Sequence, residues 1–402
     1  MRSAGWTNRV DPAGRPPARP VTLSSRIVGE FASIEAGDWE ALDHRDNPFL
    51  SHAFLSGLEQ SGSIGPGSGW TPHHLALFED GQLVAFAPSY LKAHSHGEFV
   101  FDWAWADAYQ RLALPYYPKL LTAIPYSPVS GPRLLTRRSH PAPEALREGL
   151  VKTALELVSE YELSSWHCNF VPAEDRPALE SRGLLTRQDW QFHWFNEGFA
   201  DFDDFLERLR SRKRKNIRRE RRQVHELGVE FRCLRGSEVG EAELDFLHLC
   251  YLRTFRAYGN HPALRRTFFA SIATALDDRF VLVIASRGGE PLAMSLFLAG
   301  GGVLYGRYWG CMEELPGLHF ETAYYQGIEY CIRHGLNAFE SGAQGEHKLS
   351  RGFLPRQTRS YHYVRDERFR AAISSHLERE WAWMDEYREQ LAHHDPYRRD
   401  DA

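Results

Sequence analysis

One order of elements can be read twice along this chain, and that repeat restricts the fold more than any other feature. Each half offers a hairpin, further strands, an amphipathic helix and a short strand. In the first half, strands expected at 73–78 and 83–90 flank Asp80-Gly81. A helix is expected over 145–161, with Leu146, Leu150, Ala154, Leu157 and Val158 on one face, and then a strand from Ser165. In the second half, strands at 280–286 and 291–298 flank Gly288-Gly289, 303–309 extends the sheet, and a helix over 320–336 runs into a strand at 337–340. Asp-Gly and Gly-Gly supply the positive φ that tight hairpins need. The pattern predicts an α/β fold with mixed sheets.

The repeat is unequal. Gly81 and Gly289 lie 208 positions apart, whereas Ser165 and Asn337 lie 172 apart, so the first half carries about 36 extra residues. The insert holds FDWAWADAY (101–109) and a stretch with Pro115, Pro118, Pro125, Pro128 and Pro132, which excludes helix there. A chain of 402 residues suits two domains. The expected division is a disordered leader (1–20), two similar domains (21–195 and 196–365), and a C-terminal amphipathic helix with a tail (366–402).

Composition removes several classes. The formal net charge of −5 argues against a nucleic-acid-binding polycation. No apolar run approaches the ~20 residues of a membrane helix. The Arg- and Pro-rich N-terminus lacks the apolar core of a secretory signal. Five cysteines without a CxxC pair argue against a disulfide framework or zinc site, and a cytoplasmic protein is expected. His73-His74 and His94-Ser95-His96 find no further ligands at matching spacing, so no metal is expected.

Chemistry concentrates in NAFESGAQGEHKLSRG (337–352). A strand end is broken by Gly342 and Gly345 and followed by Glu346, His347, Lys348 and Arg351. Glycine lets a backbone turn tightly or approach a ligand, and strand ends are where α/β domains place reacting groups. Neutral imidazole suits a base near pH 7, which makes His347 the first candidate, with Glu346 and Glu340 as alternatives. Gln344, Lys348 and Arg351 are expected to hold substrate, as are Arg307 and Tyr308 at the end of a central strand.

Two other segments are candidates. In FDWAWADAY, Asp102 and Asp107 with Trp105 and Tyr109 pair acids with aromatic walls, a composition suited to an organic amine. With 102–105 extended, the carboxylate and indoles would face opposite ways; the competing reading is a half-buried strand. Residues 201–227 are expected to form one long helix. Its cations, among them Lys213, Arg214, Lys215 and Arg218, crowd most of its circumference and call for a phosphate-bearing ligand, an anionic surface, or the protein's own acids.

The FDWAWADAY segment and the runs HWFNEGFADFDDFLERLRSRKRKNIRRER and ESGAQGEHKLSRGFLPRQTRSYH together resemble the FemAB-like family of N-acyltransferases, related to peptidoglycan biosynthesis or recognition. The resemblance implies two tandem GNAT-type acyltransferase domains and transfer of an acyl or aminoacyl group to a small-molecule or peptide amine. It implies no tightly bound cofactor, with aminoacyl-tRNA or acyl-CoA as donor and tRNA as a partner. The turn after the central strand reads ELPGLH (314–319) and is not a Gly-rich pyrophosphate loop, which favours the non-CoA carrier. A non-catalytic module that binds a cell-wall precursor or peptide is the alternative.

Overall fold

The computed structural model describes residues 23–342, 345–393 and 395–398. The leader expected over 1–20 and the candidate Gln344 lie outside the described residues. Among those described, the strands form one sheet of four and one of eleven.

The large sheet takes β1 (Trp70–Pro72), β2 (Ser89–Lys92), β3 (Lys119–Thr122), β4 (Ser165–Cys168) and β5 (Leu185–Phe195) from the first half. The second half gives β6 (Val229–Arg235), β7 (Phe280–Arg287), β8 (Glu290–Gly300), β9 (Val303–Cys311), β10 (Ala338–Glu340) and β11 (Leu354–Val364). Their order is β6-β7-β8-β9-β10-β5-β11-β4-β3-β2-β1. All neighbours are antiparallel except β3–β4 and β9–β10. Those two parallel pairs are the repeat in structural form, because each is joined by a crossover helix, as parallel pairing requires. The crossovers are α2 (Pro143–Glu160) and α4 (Gln326–His334), the latter preceded by a π-helical turn at Glu321–Tyr325.

The halves exchange their last strands. β5 leaves the first half to pair with β10 (Glu340 opposite His193), and β11 leaves the second to pair with β4 (His362 opposite His167). β5 and β11 then pair with each other over nine positions, Leu354 opposite His193 through His362 opposite Leu185. Two self-contained sheets meeting at 195/196, as the sequence suggested, are therefore replaced by one continuous sheet. Both exchanged strands are eleven residues long, enough for each to reach past its own half and pair with a strand of the other.

Three further expectations change. The first hairpin (His74–Glu79 and Gln82–Ala87) sits in the small sheet with Leu23–Val28, because Pro88 interrupts the ladder and the chain re-enters the large sheet at Ser89. Residues 102–105 are not extended: Trp103–Arg111 is helix α1, with Trp105 and Tyr109 one turn apart on its buried face. The helix expected over 201–227 is two, Phe202–Arg208 and α3 (Ser211–Glu226). It breaks at Leu209, which is extended and fully buried, and which bridges to Tyr397. The C-terminal helix, α5 (Glu367–His393), packs Phe369, Ile373 and Leu377 against Trp105, Tyr109 and Tyr116. No helix among the described residues is long and apolar enough to cross a membrane.

Candidate active site

β9 and β10 pair in parallel only from Val303–Ala338 to Tyr305–Glu340, and then part. β9 continues to Cys311, while β10 ends at Glu340. Just past the last pair the β8–β9 ladder slips a residue, which leaves Arg307 bulged between Gly306 and Tyr308. A bulge re-aims a side chain and increases local twist, and both occur where the two strands open. Gly306 lets the strands approach closely there: a Cβ would stand 3.2 Å from the Phe339 ring and 3.4 Å from the Ser341 backbone.

Glu340 occupies the vertex. Its side chain is 15% exposed, His193 Nδ1 on β5 lies 3.8 Å from Oε1, and Oε2 has no hydrogen-bond partner among the described residues. Burial pushes the carboxyl up to about 8, opposed by the charges of Arg133 and Arg307. Burial, with the Arg356 and Lys348 charges, drives His193 down to about 3, so the ring is neutral. His193 Nε2 lies 3.2 Å from Gln191 Oε1, and Gln191 Nε2 donates to the Pro128 carbonyl at 2.8 Å. That chain ties the site to the proline-rich insert, which also receives Arg307 on the Tyr126 carbonyl.

The opposite wall is the two-turn 3₁₀ helix Glu346–Arg351. Lys348 is 2% exposed, and its ammonium donates to the carbonyls of Ser341 (3.0 Å) and Gly342 (2.9 Å). Burial lowers it to about 7. Arg351 pairs with Glu220 of α3 at 2.9 Å and stacks on Phe320 at 3.4 Å, so it anchors the turn to the basic helix. His347 lies on the outer rim, exposed, with Nε2 3.0 Å from the Tyr324 hydroxyl and its ring beside Phe320 and His319. Gly345 sits at φ 118°, a backbone conformation that strains any other residue, and a Cβ there would also displace the exposed His347 ring. The side chain of Glu346 lies outside the described residues.

The structure therefore brings Glu340, Arg307 and Lys348 together and seats Arg351 behind them. Tyr308 instead packs in the core against Tyr251, with ring centroids 5.1 Å apart. The FDWAWADAY candidates stand elsewhere. Asp102 is 2% exposed beneath α1, where it accepts from Lys119 and from Tyr116 (2.5 Å). Burial would raise its carboxyl, but Lys119 and then His167 hold it well below the usual range. Trp105 and Tyr109 are core residues, Tyr109 stacking on Phe369 at 3.8 Å, and Asp107 is on the exposed face. Helical period, rather than the alternation of a strand, put the acid and the indole on the same buried side.

On α3, Arg214 pairs with Glu207 at 2.7 Å and Arg218 with Asp203 at 3.0 Å. Lys213 is half-buried and Lys215 exposed, and neither has an ion pair among the described residues. Arg212, Lys215, Arg219 and Arg222 share this lack and form one exposed stripe at helical spacing, opposite buried Ile217 and Val224. The helix start after β9 is closed. Gly317 presses against Glu220 and Val224 of α3, and fully buried Glu321 takes Arg221 through two bonds of 3.0 Å.

Sequence reasoning missed His193 and Arg133. The alternation Gln191–His193–Phe195 marks one face of β5, but nothing local shows that this face meets β10.

A family model described as FemAB-like, peptidoglycan biosynthesis/recognition, matches residues 30–399. Among solved structures the chain is similar to the C-terminal domain of a protein described as a lysylphosphatidylglycerol synthetase from Agrobacterium fabrum. That match has 9% identity and a TM-score of 0.52, and covers 85% of this chain and 96% of that one. FemX aligns at 12% identity with a TM-score of 0.50, over 83% of this chain and 96% of its own. A tandem GNAT protein from the clavulanic acid biosynthesis pathway aligns at 11% identity with a TM-score of 0.45, over 85% and 98%. The first two likenesses bear on the fold alone. No curated protein matches.

Proposed function

We propose, from the premise that this chain belongs to the FemAB-like family, that it transfers an acyl or aminoacyl group to an amine where β9 and β10 part. The supporting observation is Glu340, a carboxyl raised to about 8 at the vertex of the opening, beside a neutral imidazole. An acceptor nitrogen attacks the donor carbonyl carbon, forming C–N and placing negative charge on oxygen. Glu340 takes the proton that the nitrogen sheds, a role that a carboxylate of this basicity suits. The carrier's C–O or C–S bond then breaks, and the carrier leaves as a protonated hydroxyl or thiol. The Arg307 bulge sets a backbone N–H outside the ladder, the kind of donor an oxyanion needs. His347, on the rim, is better placed to contact substrate than to take the proton.

The donor side favours an aminoacyl ester on tRNA over acyl-CoA. A pyrophosphate would seek the helix N-terminus after β9, but the chain's own Glu321–Arg221 pair and α3 fill that position. The acceptor is a peptidoglycan-related or amino-acid-like amine. The test supplies purified protein with aminoacyl-tRNA or acyl-CoA and a peptide amine. Transfer is expected from the tRNA ester. In Glu340→Gln the rate should fall ~10²–10⁴-fold with KM little changed, and the rise in rate toward pH 8 should vanish. Acceptor binding without transfer from either donor would instead support the recognition-module reading.

A further inference from the structure

Charge is out of balance around Glu340. Arg133 and Arg307 act on its carboxyl, and Arg356 and Lys348 on its neighbour His193. None of these four cations has a carboxylate within ion-pair distance among the described residues. Their partners are neutral. Lys348 bonds two carbonyls, Arg307 the Tyr126 carbonyl, and fully buried Arg133 the carbonyls of Asn169, Gly131 and Pro132 at 2.7 to 3.2 Å. A buried cation ordinarily finds an anion, because an uncompensated one costs several kcal/mol. Under α1 the rule is obeyed: buried Lys119 pairs with Asp102 and Glu98. Nearby, the Ser341 hydroxyl and Glu340 Oε2 are enclosed without a hydrogen-bond partner among the described residues. The place where β9 and β10 part thus combines surplus positive charge with unfilled polar positions.

We infer that the cleft holds a built subsite for an acidic group carried by the acceptor molecule itself, bound between Lys348 and Arg307. This rests on the transferase reading above. An amine that also bears a carboxylate or phosphate would be anchored by its acid while its nitrogen is presented to Glu340. Lys348 supplies a point charge and Arg307 a directional fork. Arg133 and Arg356 add longer-range attraction. An amine of the same shape without the acid would leave Lys348 uncompensated and bind poorly, so the pair of cations sets acceptor specificity.

Three probes separate the possibilities: alanylalanine (a carboxylate), O-phosphoethanolamine (a phosphate), and alanylalanine amide (no acid). Calorimetry and thermal unfolding should show binding of one or both acidic probes, at least tenfold tighter than the amide. The stronger acidic probe identifies the source of the anion. Binding near pH 8 should draw in a proton, because an anion beside Lys348 restores its ammonium form; heats measured in buffers of differing ionisation enthalpy read this directly. The titratable groups that feel the Lys348 charge are His193 on β5, His319 beyond β9 and His347 on its own turn. Lys348→Met removes the buried charge together with its bonds to the Ser341 and Gly342 carbonyls; with its folding checked by thermal unfolding, it is expected to abolish both the acid preference and the proton uptake. Arg307→Gln should weaken the acidic probes and spare the amide. Equal binding of acid and amide, or an unchanged preference in Lys348→Met, overturns the inference. If the amide is acylated as fast as the acid, the subsite fails and the transferase reading stands. Lys348-dependent acid binding with no transfer from any donor keeps the subsite and counts against the transferase reading.

Discussion

The two parallel strand pairs of this molecule have the same construction and opposite fates. After the last pair of the first half, Thr122 opposite Cys168, the chain's own insert takes the free backbone: Gly131 N–H donates to Phe170 O, and Arg133 to Asn169 O. After the last pair of the second half, Tyr305 opposite Glu340, the carbonyls of Ser341 and Gly342 take the Lys348 ammonium. Buried charge divides the same way. In the first half Lys119, Lys92, Glu98 and Asp102 compensate one another under α1, with His167 and His362 against them. In the second half Lys348, Arg307 and Arg356 around Glu340 have no carboxylate within ion-pair distance among the described residues. A repeat can therefore specialise without altering its frame: one opening becomes a sealed, self-neutralised core, and the other keeps its charges for something else.

The largest effect that could break this contrast is at Asp102. If the first-half network is structural, Asp102→Ala leaves Lys119 short of a partner in a dry site and should cost about 3–5 kcal/mol in urea unfolding. Acceptor affinity per folded molecule should stay the same. A loss below ~1 kcal/mol together with weakened acceptor binding would put Asp102 back in a ligand site.

A smaller effect concerns pH. Burial holds His167 near about 3 and His362 well below the usual imidazole value, whereas the unfolded chain protonates both near 6.5. Unfolding therefore takes up protons below pH 6.5, and stability falls as pH drops from 6.5 toward 3. Glu98, pushed up to about 7 by burial against the Lys119 charge, acts the other way between 7 and its unfolded value. Asp102, held low chiefly by Lys119 against burial, adds its loss only at the acid end. Net, the two histidines outweigh Glu98 by one proton around pH 5.5. In His362→Phe the stability–pH slope between 6 and 5 should flatten by about 1.4 kcal/mol per pH unit. Parallel slopes for parent and variant would show that the His167–His362 contact, 2.6 Å between Nδ1 atoms, is not a neutral pair.

Much of this arrangement could be read from the residues. Helical and strand periods, with Gly-containing turns, are local signals, and they located the repeat, both hairpins and the loop at 337–352. Glu340, Lys348, Arg351 and Arg307 were named from strand ends and turn chemistry. What could not be read depends on pairing across the chain. His193 is an ordinary residue in an alternating strand until β5 crosses to β10. Asp102 looked like a ligand group because its counter-ion, Lys119, lies 17 positions away and meets it only after α1 folds. The long basic helix broke at Leu209 because the tail at Tyr397 pairs with it, a contact nearly 190 residues distant in sequence. Local chemistry named the groups, and strand exchange decided which of them share a pocket.

The smallest expected effect sharpens the contrast on the surface, along α3. Its cations fall into two sets. Arg214, Arg218 and Arg221 are bound to Glu207, Asp203, Glu321 and Glu329, so their charge is already spent within the protein. Arg212, Lys215, Arg219 and Arg222 have no such partners among the described residues and run along one exposed face for about 15 Å at the rise of a helix. If a phosphate backbone lies on that stripe, each contact releases a condensed counter-ion, and affinity falls with salt in proportion to the contacts made. Binding of an RNA hairpin at several salt concentrations distinguishes the sets. Arg212→Gln with Arg219→Gln should lower the slope of log affinity against log salt by about two. Arg218→Gln should leave the slope alone and cost under ~1 kcal/mol in stability, because its exposed pairs are screened by solvent. A slope unmoved by the double substitution would make the stripe a solvated face, and the donor would then have to be held within the cleft alone.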